Sequence, residues 1–166
     1  MKVLFLDFDG VLNNKAWFVL NKTIDMFLEP DDTFRSNLDP HNMRIISYIL
    51  KNIPDLKIVL STSWRNSYKL DEIRSSFSAM GFKDIADRII DKTSRKSSRS
   101  QEILKWVDSN VEVTNWMTID DRAIFNHEKH KIHELKTNSL TGITINDAID
   151  IIKYFDPNFK EPIVLI

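Results

Sequence analysis

Short apolar runs that end in acids or hydroxyls, alternating with amphipathic helices, predict an α/β fold with a doubly wound parallel sheet. Two observations carry that expectation. The runs at 3–8, 56–60 and 116–119 are almost continuously apolar, as strands buried on both faces require. The stretches between them repeat apolar residues at helical spacing, which implies crossover helices covering both faces of the sheet.

Taken in order, residues 3–8 read as a buried strand that feeds a turn at Gly10. Asp39-Pro40 opens a helix, with Pro at its first position and Met43, Ile46, Ile49 and Leu50 along one face. Pro54 marks the next turn, and 56–60 forms the second strand. Leu70, Ile73, Phe77 and Met80 give another helical face, closed by Gly81. Ile89-Ile90 reads as a short third strand. A helix from about Ser100 follows, with Ile103, Leu104 and Val107 apolar, and 116–119 is the fourth strand. A fifth strand is expected at 132–135. Thr144, with Asp147 three residues on, caps a last helix whose apolar face is read as Ile145, Ala148, Ile149 and Ile152. The arrangement is Rossmann-like. Residues 156–166 form a tail, in which 163–166 reads as an extra strand or a docking segment.

Composition narrows the function classes. The 166 residues fit one domain, 1–166, and 42% apolar with 28% charged residues suits a folded chain. A net charge of −1 announces neither a nucleic-acid nor a membrane partner. There is no cysteine, which removes disulfides, thiolate metal sites and a cysteine nucleophile. Asp7 and Asp9 interrupt the only apolar run near the start, so no secretory signal is read there. No run approaches the ~20 apolar residues of a membrane span. The expectation is a cytoplasmic protein with no membrane partner.

Sheets of this kind bind ligands beyond the carboxyl ends of their strands. Three ends here carry chemistry: Asp7-Phe8-Asp9-Gly10, Ser61-Thr62-Ser63 and Asp120-Asp121. Four carboxylates brought together repel one another, and a hard divalent cation relieves the conflict. An all-oxygen set favours Mg²⁺ over zinc, with Asp7, Asp9, Asp120 and Asp121 as its expected ligands. Such a cation also lets a phosphate approach a carboxylate nucleophile. Asp7 then attacks phosphorus, while Asp9 protonates the leaving group and next deprotonates water. Gly10 allows the sharp turn after the acids. Taken alone, Asp-x-Asp-Gly reads equally as an ordinary turn, and the other two strand ends tip it to chemistry; a calcium loop would need further alternate acids and a distal Glu, which are missing.

Among Ser61, Thr62 and Ser63, one hydroxyl can donate to a phosphate oxygen or simply cap the next turn. Arg65 either clamps a phosphate or pairs with the acids, and Trp64 is core or contact. A cation must offset the transition-state charge. Lys92, Arg95, Lys96, Arg99 and Lys105 all lie between the third strand and the fourth, on the loop and the helix that follows it, where a solvated basic surface is the plain alternative.

These residues resemble the haloacid dehalogenase-like (HAD) superfamily. Asp7-Phe8-Asp9-Gly10-Val11 resembles its first motif, Leu60-Ser61-Thr62 its second, and Ile119-Asp120-Asp121 its fourth. The resemblance covers residues 1 to about 155. It implies an aspartyl-phosphate mechanism with Mg²⁺, Ser61 as the functional hydroxyl, and Lys or Arg as the third motif. Arg99 fits that role through Arg99-Ser100-Gln101-Glu102-Ile103, with Lys96 as the alternative. Ser61-Thr62-Ser63-Trp64-Arg65 and Ile119-Asp120-Asp121-Arg122 resemble phosphatase domains of polynucleotide end-repair enzymes, in which the cap is minimal. Only 12–38 is available as a cap-like insertion. Its Trp17, Phe18, Phe27 and Phe34 either stack on a base or pack the insertion down. The expected partner is a phosphomonoester: a nucleotide, an oligonucleotide end or a small metabolite. Gly10, Thr62, Arg65 and Lys96 are the expected substrate contacts.

Two other classes compete. One is a phosphate- or partner-binding module without turnover, which would not need the acid at Asp9. The other is a transition-metal site on His127, His130 and His133, whose Glu128, Lys129 and Lys131 neighbours favour a solvent-facing stretch instead.

Overall fold

In the computed structural model, residues 1–21, 34, 37–95 and 97–161 are described. Five parallel strands form one sheet in the order β3-β2-β1-β4-β5. They are β1 (Lys2–Leu6), β2 (Leu56–Leu60), β3 (Ile89–Lys92), β4 (Asn115–Asp120) and β5 (Glu134–Lys136). β1 is central. The chain builds outwards to β2 and β3 on one side, then crosses to β4 and β5 on the other. That reversal opens a crevice at the carboxyl end of β1, where this class of sheet places its ligands.

Alternation along β1 divides the core. Leu4 and Leu6 join a large cluster with Met43, Ile46 and Ile49 of α2 (Pro40–Asn52), Ile73 and Phe77 of α3 (Leu70–Ala79), and Ile85 of α4 (Lys83–Arg88). Val3 and Phe5 face the other way. There they pack with Val59, Trp116, Phe125 and Ile103 of α5 (Arg99–Ser109), and Trp106 meets Phe5 edge-on. Helices therefore cover both faces, as expected.

Caps set the helix starts. Asp39 accepts from the His41 N–H at 2.8 Å, with Pro40 as the first helical residue. Ser98 and Gln101 form a capping box, which starts α5 at Arg99 rather than Ser100. Thr144 and Asp147 do the same for α7 (Ile145–Phe155). The buried face of α7 is Ala148, Ile151, Ile152 and Phe155. Ile149 is only half-buried and Ile145 is half exposed, which corrects the expected stripe by a small rotation.

Other differences are short elements. α4 has six residues, too few for a periodic pattern to show. β1 ends at Leu6, and β5 begins at Glu134. His127 precedes a single helical turn, α6 (Glu128–Lys131). The insertion leaves and returns at one point: Asp39 N–H donates to Leu12 O at 2.9 Å and Asn14 Nδ2 to Asp39 Oδ2 at 2.9 Å. A short helix, α1 (Lys15–Asn21), begins it, and its first amides donate to the Ser139 and Leu140 carbonyls. Phe34 is buried against Trp64, Tyr68 and Phe77, so this aromatic packs against the body of the domain. Phe18 is partly exposed, while Phe27 and the segment 163–166 lie outside the described residues.

Candidate active site

Sheet register brings the three loaded strand ends together. Leu6 lies beside Leu60 on one side and Ile119 on the other, so Asp7 stands between Ser61 and Asp120. The ladder continues one step further: Asp7 N–H donates to Ile119 O at 3.1 Å, and Ser61 N–H to Leu6 O at 3.0 Å. Asp7, Ser61 and Asp120 are each 1% exposed, placing two carboxylates at the bottom of the crevice.

Asp7, Asp120 and Asp121 each offer one oxygen, and these oxygens lie within 4.8 Å of one another. Among the described residues, they are the only such group of three histidine, cysteine or acidic side chains. Burial first and Asp120 second push the Asp7 carboxyl up, Arg99 partly opposes both, and the net result is about 6. Burial and then Asp120 also push Asp121 upward. This all-oxygen, mutually repelling set fits a Mg²⁺ ion.

Arg99 is the first residue of α5, and its Nη1 pairs with both Asp7 Oδ2 and Asp120 Oδ2. Burial acts to lower its pKa, but Asp7 and Asp120 outweigh that and the net shift is upward. A fixed cation therefore sits between the two most buried acids. Lys96, the alternative, lies outside the described residues.

Asp9 faces outwards, and its carboxylate is not part of the three-acid group. Asn13 Nδ2 and Trp64 Nε1 each donate to its Oδ1 at 2.9 Å, and Ser63 Oγ donates to Oδ2 at 3.3 Å. Trp64 is thus both core and contact, because its ring also packs against Phe8 and Phe34. Asn13 was not singled out from the sequence; the sole signal was an amide four residues beyond the acid, in a turn.

Three expected substrate contacts have other work. Arg65 is turned inward: Nε donates to Thr93 O at 3.1 Å, Nη1 to the Ser61 and Thr62 carbonyls, and Nη2 to Ser94 O at 3.3 Å and Glu102 Oε2 at 2.6 Å. Its five N–H groups are all engaged, leaving none for a phosphate. Thr62 is fully buried and caps the turn of Ser63–Asn66, accepting from Trp64 N–H at 3.3 Å. Gly10 has φ +72°, and a Cβ there would lie 2.5 Å from Asp121 Cβ. Its place is set by the close approach of Asp121, and its carbonyl is tied by Thr137 Oγ1 at 2.7 Å.

The histidines form no ligand set. The His133 ring stacks on Trp116 with centroids 4.2 Å apart, and its Nδ1 lies 3.0 Å from Trp116 O. His130 packs against Phe125. The crevice is flanked by polar grooves. One, of about 490 Å³, runs past Ser63, Trp64, Tyr68 and Arg95. Another, of about 430 Å³, runs from Asp121 past Lys136 and Asn138. A further depression, of about 630 Å³, is remote, lined by Arg44, Tyr48, Asp84 and Arg88, and holds none of these acids.

A family model described as "HAD domain in Swiss Army Knife RNA repair proteins" matches residues 3–148. The chain belongs to this HAD family. The match spans β1 to the first residues of α7, and so takes in all three loaded strand ends and Arg99. No curated protein and no solved structure shows significant similarity to the chain. Membership implies phosphatase-type hydrolysis of a phosphorylated substrate. Among the described residues, no helix of this HAD domain is long and apolar enough to cross a membrane.

Proposed function

We propose that this HAD domain is a Mg²⁺-dependent phosphomonoesterase that works through an aspartyl-phosphate on Asp7, with a nucleotide or nucleic-acid terminal phosphate as substrate. The observation that carries it is the sharing of Arg99 between Asp7 and Asp120, beside Asp121 and Ser61. The same cation that pairs with the buried acids stands where charge on a transferring phosphoryl group would need offsetting.

Asp7, Asp120 and Asp121 would hold Mg²⁺, which when bound neutralises phosphate charge and keeps Asp7 ionised. The chain's own groups do the rest. An Asp7 oxygen attacks phosphorus, the bond to the leaving oxygen breaks, and Asp9 gives that oxygen its proton. Asp9, now a carboxylate, takes a proton from water as the water oxygen attacks the phosphoryl group. The bond to Asp7 breaks, and inorganic phosphate leaves. Arg99 and the Ser61 hydroxyl offset charge on the transferring oxygens. The three donors on Asp9 hold its carboxylate at the rim, where a leaving group departs.

The family's occurrence in RNA repair proteins and the two open polar grooves favour a polymeric or nucleoside-bearing substrate over a small enclosed one. The test is phosphate release with Mg²⁺ and with EDTA from an aryl phosphate, nucleoside monophosphates, and 3′- and 5′-phosphorylated oligonucleotides. Metal-dependent release with oligonucleotides or nucleotides preferred is expected. No release from any of them would favour a binding module without turnover.

A further inference from the structure

We propose that the buried Arg65–Glu102 ion pair is a positioning device for phosphoryl transfer: it sets where Arg99 and the hydroxyl-bearing end of β2 stand relative to Asp7. The kinetic part of this proposal rests on the phosphatase reading.

The pair is almost sealed from water, with the Arg65 side chain 6% and the Glu102 side chain 3% exposed. Arg65 gathers four carbonyls from two strand ends, those of Ser61 and Thr62 after β2 and of Thr93 and Ser94 after β3. Its remaining bond, at 2.6 Å, goes to Glu102 in α5. The other oxygen of Glu102 accepts from the Ser97 amide at 3.4 Å, just before the helix begins. One planar guanidinium therefore locks three chain segments at a single point.

Both ends of this lock reach the site. Glu102 is three residues beyond Arg99, on the same face of α5. Holding Glu102 fixes the height and rotation of the turn from which Arg99 reaches Asp7 and Asp120. At the other end, Ser61 is held through its carbonyl by Arg65 and through its amide by Leu6 O. A buried ion pair is poor evidence for stability, since apolar residues of similar volume often serve as well or better. A planar fork reaching four carbonyls and a carboxylate supplies direction, which apolar packing does not. Neither residue touches the three-acid group, so both act through others.

The experiment measures kcat and KM on an aryl phosphate with Mg²⁺ for wild type, Arg65→Lys, Glu102→Gln and the double variant Arg65→Met/Glu102→Leu. Arg99→Ala, alone and combined with Glu102→Gln, completes a cycle, and thermal melts verify folding. The double variant leaves no orphaned charge, so it keeps the test sound if the single variants fold poorly. The expected result is a folded double variant with kcat lowered by about 10²-fold and KM little changed. Glu102→Gln should cost far less once Arg99 is already alanine, because the two act as a unit. Wild-type kcat in the folded double variant, or an equal loss from Glu102→Gln in both backgrounds, would overturn the proposal. If the wild type releases no phosphate, the phosphatase reading fails, and the lock is judged by the Arg99 Nε–Hε resonance in NMR spectra. A resonance protected in wild type and exchange-broadened in the double variant supports it. An identical resonance in both overturns it.

Discussion

Trp64 donates its indole N–H to Asp9 Oδ1 at 2.9 Å while its ring lies edge-on to Phe34, centroids 5.1 Å apart. One side chain thus joins the packing of Phe34 to the proposed acid–base group. Trp64→Phe keeps most of the packing and removes the donor, leaving Asn13 and Ser63 on Asp9. We expect kcat to fall several-fold, with stability changed by about 1 kcal/mol. Steady-state kinetics beside a thermal melt check this, and an unchanged kcat would reduce Trp64 to a packing residue.

Two glycines form a matched comparison. Gly10 and Gly81 both have positive φ, +72° and +88°, but only Gly10 faces a carboxylate that a Cβ would displace. Alanine at either site should cost about 1–3 kcal/mol of backbone strain. Gly10→Ala should also weaken Mg²⁺ binding and abolish most turnover, by pushing Asp121 aside. Gly81→Ala should keep wild-type kcat. Calorimetric Mg²⁺ titration of the two variants separates them, and equal Mg²⁺ affinities would contradict this account of Gly10.

Metal-free stability should depend on pH through Asp7. Its carboxyl is raised from 3.8 to about 6, by burial first and Asp120 second. A raised acid contributes stability that is fully present below its unfolded value and lost as pH rises through the folded one. The metal-free protein should therefore lose on the order of 1–3 kcal/mol between about pH 4 and pH 7 from this group. Asp7→Asn removes the titration, so without metal it should melt higher than wild type near neutral pH and lose that advantage near pH 4. Mg²⁺ should raise the Tm of wild type more than that of the variant. Melts at both pH values with EDTA or Mg²⁺ check each sign, and a metal-free Asp7→Asn that melts lower at neutral pH would contradict them.

Much of the framework was legible because its signals are local. A strand buried on both faces must be apolar throughout, so β1, β2 and β4 announced themselves, and acids at their ends stood out as costly unless used. Arg99 was singled out only through the resemblance carried by Arg99-Ser100-Gln101-Glu102-Ile103, with Lys96 as the alternative. Arg65 was not legible. Beside three hydroxyl residues it reads as a phosphate clamp, and only the closure of the 93–94 loop and α5 around it reveals its inward role. Thr62 was ambiguous for the same reason, since a cap and a phosphate donor use one hydroxyl. α4 was too short to carry a period, and the ring packing of His130 and His133 depends on Trp116, distant in sequence.

Whether Asp7 carries the phosphoryl group is tested by acid-quenched peptide mass spectrometry of Asp9→Asn with an aryl phosphate and Mg²⁺. An aryl leaving group departs without an acid, whereas attack by water needs the base, so the variant should accumulate the intermediate. One phosphoryl adduct is expected on the peptide bearing Asp7, absent when Asp7 is also replaced by Asn. An adduct on another residue, or wild-type turnover in Asp7→Asn, would contradict it.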